Sequence, residues 1–148
     1  MTGELRLIDT NVLVHAYTVS DERKHEAALS LVEKVWEGEA AATTLQNLCE
    51  LFSVITRKVA KPVSTGSAAA IVEGILAASQ WTVIDRMPRT VLKATEMVRL
   101  YRAPFWDALI AACMLENGIE IIVTENERDF KRIPGITVTN PFRTTLRK

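Results

Sequence analysis

The chain alternates between short, continuous apolar runs and longer stretches in which apolar residues recur every three or four positions. The runs read as buried strands over about Leu5 to Ile8, Trp81 to Asp85, Glu120 to Thr124 and Gly135 to Thr139. A smaller strand fits Glu39 to Thr43. The periodic stretches read as helices, the first a short one over Val12 to Tyr17. A longer one, opened by Ser20 or Asp21, runs to about Trp36 and ends at Gly38. Its Ala27, Ala28, Leu31, Val32, Val35 and Trp36 share one face. Thr43 or Thr44 caps a third helix, which carries Leu45, Leu48, Phe52, Ile55 and Val59. Lys61-Pro62 breaks that pattern, and Ser64 or Thr65 begins a fourth through Ala70, Ile71, Ile75 and Leu76. Pro88 opens a fifth, and Pro104 precedes a sixth from Trp106 to Asn117, stopped by Gly118. Strands alternating with helices predict an α/β fold, a three-layer α/β/α sandwich around a mainly parallel five-stranded sheet.

Composition narrows this picture. A length of 148 residues suits one domain over 1–148, and 48% hydrophobic with 24% charged residues fits a globule with a substantial core. The 18 basic residues cancel the 18 acidic ones, so no global field draws in a polyanion. Nucleic-acid binding would need a local basic patch or metal ions. Cys49 and Cys113 lie far apart in apolar helical patterns, which predicts two buried free thiols and a reducing cytoplasm. Glu4, Arg6 and Asp9 leave no room for a signal peptide at the start. No apolar run approaches the roughly 18 residues of a membrane span.

Acidic residues stand where sites form. The first apolar run ends abruptly in Asp9-Thr10-Asn11, which places a carboxylate at the C-terminal edge of a sheet, where open α/β folds bind ligands. Thr10 or Asn11 could cap the helix that follows. Asp107 falls in the first turn of the sixth helix, and Glu125, Glu127 and Asp129 follow the fourth strand. Glu50 is mid-helix, nearly opposite the Leu48, Phe52 and Ile55 stripe. Each also has an ordinary role open to it. Asp107 complements a helix dipole, Glu50 faces water, and Asp129 is a loop residue.

Four segments in order resemble the PIN-domain ribonucleases, and among them the small VapC-type toxins of bacterial and archaeal toxin–antitoxin pairs. They are Asp9-Thr10-Asn11-Val12-Leu13, Leu48-Cys49-Glu50-Leu51-Phe52, Phe105-Trp106-Asp107-Ala108-Leu109-Ile110-Ala111-Ala112, and Thr124-Glu125-Asn126-Glu127-Arg128-Asp129-Phe130 with Ile133-Pro134-Gly135. The likeness covers essentially the whole chain. It implies RNA phosphodiester hydrolysis leaving a 3′-hydroxyl and a 5′-phosphate, with Asp9, Glu50 and Asp107 as catalytic metal ligands. At the fourth acid the chain departs from many members, which place an Asp where Asn126 stands. Others carry the acid just before the Phe, which makes Asp129 a further candidate ligand and Asn126 a polar site residue. Thr10, Asn11 and Thr124 are candidates to orient carboxylates or water.

An all-oxygen set of carboxylates without Cys or His suits Mg²⁺, or Mn²⁺, rather than zinc. His15 and His25 are assigned to packing or solvent. Contact with an RNA backbone needs positive charge, for which Arg57, Lys58 and Lys61 are the leading candidates. Lys131, Arg132, Arg143, Arg147 and Lys148 come next. The resemblance further implies an antitoxin protein as cognate partner and a homodimer. Trp36, the apolar faces of the second and fourth helices, and Ile71 to Leu76 could furnish such interfaces, or be core.

Rival chemistries fit less well. A phosphatase of the haloacid-dehalogenase type needs a second Asp two residues after the first, where this chain has Asn11. The paired acids and late Lys of a receiver domain are missing, and the length excludes the helical insertion of structure-specific DNA nucleases. The other class left open is a catalytically silent PIN-like module that binds RNA or protein without cutting.

Overall fold

The structure is a computed structural model that describes residues 4–143. Five short strands are β1 (Arg6–Ile8), β2 (Ala41–Thr44), β3 (Trp81–Ile84), β4 (Ile121–Val123) and β5 (Thr137–Thr139). The helices are α1 (Thr10–Tyr17), α2 (Glu22–Trp36), α3 (Leu45–Arg57), α4 (Thr65–Ala77), α5 (Pro88–Tyr101), α6 (Phe105–Glu116) and α7 (Glu127–Phe130). The strands form one sheet in the order β3-β2-β1-β4-β5, and all four pairings are parallel. Parallel pairing is what strand–helix–strand crossovers produce.

β1 lies at the centre of the sheet, with Leu7 opposite Ala42 on one side and Ile122 on the other. Its successive side chains point to opposite faces, as a pleated strand requires. Leu7 joins a core with Ala94, Met97, Leu109, Met114 and Phe130, beneath α5 and α6. Ile8 joins a second core with Val12, Leu13, Val32, Leu51 and Ile75, beneath α1 to α4. The three layers follow from this division. After β1 the chain builds outward to β2 and β3, then returns to add β4 and β5 on the other side. That reversal beside β1 is the switch point at which α/β sheets open a crevice.

The predicted strands and six predicted helices are present with ends shifted by a few residues. Glu39 and Glu120 fall outside their strands, and the second strand extends to Thr44. Capping explains several helix starts. Asp21 accepts from Lys24 N, Ser64 from Ser67 N, and Thr44 from Asn47 N in a capping box. The α1 cap is Asp9 itself, whose carboxylate accepts from Thr10 N at 2.8 Å. Thr10 and Asn11 are therefore inside the helix, with side chains free for other work. The segment around Asp129, read as a loop, forms the single turn α7, anchored by fully buried Phe130.

One of the two thiols differs from expectation. Cys113 is buried, which pushes its pKa up to about 11, whereas Cys49 is exposed on α3. Cys49 follows Leu48, so the polar side of the helix begins one residue earlier than its apolar character suggests. Among the described residues no helix is long and apolar enough to cross a membrane.

Candidate active site

Asp9 follows the central strand, and its backbone N–H still extends the sheet by donating to Val123 O at 3.0 Å. Only 7% of the residue is exposed. Four donors surround its carboxylate. Oδ1 accepts from Thr10 N at 2.8 Å and from Asn47 Nδ2 at 2.9 Å. Oδ2 accepts from the Thr124 hydroxyl at 2.7 Å and from Asn11 Nδ2 at 3.4 Å. Three of these bonds are short, and the one from Asn11 is long, so Oδ2 keeps acceptor capacity to spare. Burial still dominates and holds the Asp9 pKa above its ordinary value. The bonds from Thr124, Thr10 and Asn47 oppose it, and the charge of Glu50 adds to it.

Asn47 organises this network. It is wholly buried in the first turn of α3. Its Oδ1 accepts from Thr44 Oγ1 at 2.7 Å and Thr44 N at 3.3 Å, so its two N–H bonds are directed at Asp9 and at Thr10 Oγ1, the latter at 2.8 Å. The Thr10 hydroxyl in turn donates to Glu50 Oε1 at 2.9 Å. Two carboxylates are thus joined through an amide and a hydroxyl. Sequence reasoning passed over Asn47, whose spacing from Thr44 marks it as half of a capping box. A buried amide inside a helix that leads to an acid is the signal that could have found it.

Asp107, in the first turn of α6, accepts from Asn126 Nδ2 at 2.9 Å. Burial, then the charges of Asp9 and Asp129, raise its pKa to about 6. Asp9, Thr10, Asn11, Glu50, Asp107 and Asn126 all line one cleft of about 350 Å³. Thr124 lies behind it, bonded to Asp9 and receiving Asn126 N at 3.0 Å. Asp129 does not line the cleft. It stands 3.9 Å from Arg132 Nε and reaches Asp107 through its charge. Among the described residues no three Asp, Glu, His or Cys side chains stand ready to hold one ion. Each carboxylate is instead engaged by hydroxyl or amide donors.

His15 also lines the cleft, packed edge-on against Phe142 with ring centroids 5.1 Å apart. Lys24 pairs with Glu125, whose Oε1 lies 3.7 Å from His15 Nε2. His25 Nδ1 donates to His15 O at 2.8 Å. Of the candidate cations, Arg57, Lys58 and Lys61 are exposed. Glu50 and Val54 line the cleft one turn apart, and Arg57 is the next residue along that face of α3. Lys131 and Arg143 are committed to Glu127, at 3.2 Å and 2.7 Å. Arg132 spans Asp129 and Arg102 O. Arg147 and Lys148 lie outside the described residues.

Against known proteins, the family model described as PIN domain matches residues 6–136. No curated protein matches at a significant level. Among solved structures, VapBC2 from Rickettsia felis, bound to a DNA fragment from its promoter, aligns with a TM-score of 0.67 and 20% identity. It covers 92% of this chain and 98% of that one. VapC20 from Mycobacterium tuberculosis, a sarcin–ricin loop cleaving toxin, gives 0.64 at 18% identity, covering 83% and 91%. DNA-bound VapBC from Salmonella typhimurium gives 0.63 at 23% identity, covering 94% and 99%. At these identities the structural likeness speaks for the fold, and the family model, which spans nearly all of the chain, decides the membership. This chain belongs to the PIN domain family.

Proposed function

We propose that this protein is a Mg²⁺-dependent endoribonuclease acting as the toxin of a toxin–antitoxin pair. The observation that carries the reading is the cleft itself. Asp9, Glu50 and Asp107 come from three separate elements to one depression at the C-terminal edge of the sheet. Similar folds are toxins of such pairs, and one of them cleaves the sarcin–ricin loop. Aligning with antitoxin complexes over 92% of the chain also supports an antitoxin as partner.

The donor set suits a hard divalent cation. Every side chain offering a lone pair at the cleft floor does so through oxygen, apart from His15 at its edge. Burial and then the charges of Asp9 and Asp129 lift the Asp107 pKa, and a cation would relieve the second of these. Asp9, Glu50 and Asp107 would hold the ion, with the Asn126 carbonyl oxygen beside them. Mg²⁺ or Mn²⁺ bound there would supply a more acidic water and offset charge on the phosphoryl group. The chain's own residues do the positioning. Thr124 and Asn47 fix both oxygens of Asp9, Thr10 orients Glu50, and Asn126 orients Asp107. Arg57, one turn beyond Val54 on α3, would meet the substrate backbone, with Lys58 and Lys61 beyond it.

The test is cleavage of mixed RNA by the purified protein with Mg²⁺ or Mn²⁺, against EDTA, Asp9→Asn and Asp107→Asn. Cleavage abolished by EDTA and by both substitutions is the expected result. Undiminished cleavage in both variants rejects the site, and RNA bound without cleavage in either metal assigns a binding module.

A further inference from the structure

Trp106 is the largest exposed side chain near the cleft, with 59% of its surface open to solvent. It precedes Asp107 in the first turn of α6, so its ring is carried by the same rigid element as a candidate ligand. One edge is fixed, with Phe105 packed against it nearly perpendicularly, 5.2 Å between ring centroids and 73° between planes. From the other side Gln46 Nε2 donates to Trp106 O at 3.4 Å, tying the start of α6 to the start of α3. An apolar ring of this size held in place beside a polar cleft contributes little to the core, which lies on the other faces of α6.

The indole stands between two depressions. It lines the acid cleft, and it also lines a second hollow of about 430 Å³ with Leu45, Gln46, Cys49, Asp85 and Arg86. Glu50 and Gln46 border both. The charged lining of the second hollow is Glu50, Asp85 and Arg86, so its balance is acidic rather than basic. A phosphate is disfavoured on such a floor. A neutral, flat group with polar edges fits it: apolar wall, aromatic ring, one amide. Arg86 is exposed in the loop between β3 and α5, and its side chain makes no ion pair among the described residues.

We propose that Trp106 is a stacking platform for an unpaired nucleobase adjacent to the cleaved phosphodiester, with that base seated toward Gln46 and Arg86. This rests on the ribonuclease reading and deepens it, since it assigns the residue that holds the base beside the cut. Bases locked in a duplex present no free face to an indole, whereas bases in loops and single strands do.

The test measures binding separately from cleavage, with the protein in EDTA. The probes are a single-stranded RNA oligonucleotide carrying 2-aminopurine and the same strand annealed to its complement. Trp106→Ala is expected to weaken single-strand binding about 10- to 100-fold. Trp106→Phe should restore most of it, and duplex affinity should stay unchanged. Stacking should quench 2-aminopurine in the parent protein and in Trp106→Phe but not in Trp106→Ala. Equal single-strand affinity in Trp106→Ala and the parent overturns the platform while leaving the nuclease reading intact, provided the parent cuts RNA. Equal losses on single strand and duplex also overturn it. Quenching that depends on Trp106 in a protein that never cuts RNA supports the platform and rejects the nuclease. A protein that neither binds nor cuts RNA rejects both.

Discussion

The side-chain amide of Asn47 donates to Oδ1 of Asp9 at 2.9 Å, across 38 residues of sequence and with both groups buried. The orientation is forced, because the amide oxygen is occupied by Thr44. Asn47→Ala removes this donor from a buried carboxylate and leaves the Thr44 cap without its reciprocal partner. Unsatisfied buried groups cost about 1–3 kcal/mol each, so a loss of about 2–3 kcal/mol is expected in urea unfolding. Asn47→Asp should be worse, since it sets a second carboxylate against Asp9. A loss under 0.5 kcal/mol in Asn47→Ala would mean that Asp9 is positioned without it.

Thr10 links the buried network to Glu50. Its hydroxyl accepts from Asn47 and donates to Glu50. Thr10→Ser keeps both bonds and should keep activity. Thr10→Val keeps the volume and releases Glu50, which is exposed and has no other fixed partner among the described residues. RNA cleavage at saturating substrate should fall about 10-fold or more in Thr10→Val, in line with the general cost of a mispositioned group. Full activity in Thr10→Val would show that Glu50 needs no such guide.

How much of this was readable beforehand depends on the range of the forces involved. β1 and β4 announce themselves because a strand largely buried in the middle of a sheet is a continuous apolar run, β3 by its buried Trp81 and Ile84 at the edge, and Pro88, Pro104 and Gly118 punctuate the helices locally. α7 has four residues, too few for any period, and exists because Phe130 is pulled into the core from a loop. The acids at strand ends and helix starts were legible as individuals. Their meeting in one cleft depends on strand order, which no local pattern contains. Asn47 is the clearest case, because its local role is a helix cap and its second role appears only once α3 lies beside β1. Asn126 and Asp129 likewise part only in the folded chain, one side chain bonding Asp107 and the other lying 3.9 Å from Arg132 Nε.

Asp107 gives a pH signature. Its pKa rises from 3.8 to about 6 on folding. A folded value above the unfolded one means that the contribution to stability is complete below about pH 4 and lost as the pH rises through 6. Metal-free protein should therefore be less stable at pH 7 than at pH 5 by about 1 kcal/mol from this group, after discounting for solvent screening. Asp107→Asn should remove that difference and raise the melting temperature at pH 7 by about 3 °C in EDTA. Added Mg²⁺ should stabilise the parent and not the variant. Parallel melting curves for the two proteins from pH 5 to 7, with and without Mg²⁺, would remove the electrostatic case for a cation at Asp107.

Two arginines near the two ends of the candidate basic set should behave in opposite ways. Arg57 is exposed and follows Glu50 and Val54 along the cleft face of α3, so it is free to meet an RNA phosphate. Arg143 instead donates to Glu127 Oε2 through Nη2 at 2.7 Å and Nε at 3.1 Å, beside Asn140 at 2.8 Å. Those bonds hold the Glu127 pKa down at about 2. A depressed value means that the stabilisation is present above the unfolded pKa near 4.5 and disappears as the pH falls through 2. Glu127→Gln should accordingly be less stable than the parent at pH 7, with the gap closing toward pH 2. Arg143→Ala should show part of that loss at neutral pH, since Asn140 and Lys131 still engage Glu127, and should leave RNA affinity in EDTA unchanged. Arg57→Ala should do the reverse, preserving the melting temperature while weakening RNA binding. It should also lower the slope of log affinity against log salt by about 0.7, the value for one phosphate contact on a single strand. If Arg143→Ala weakens RNA binding with that same change in slope, the Glu127 pair is not its main engagement and the basic surface extends across α7.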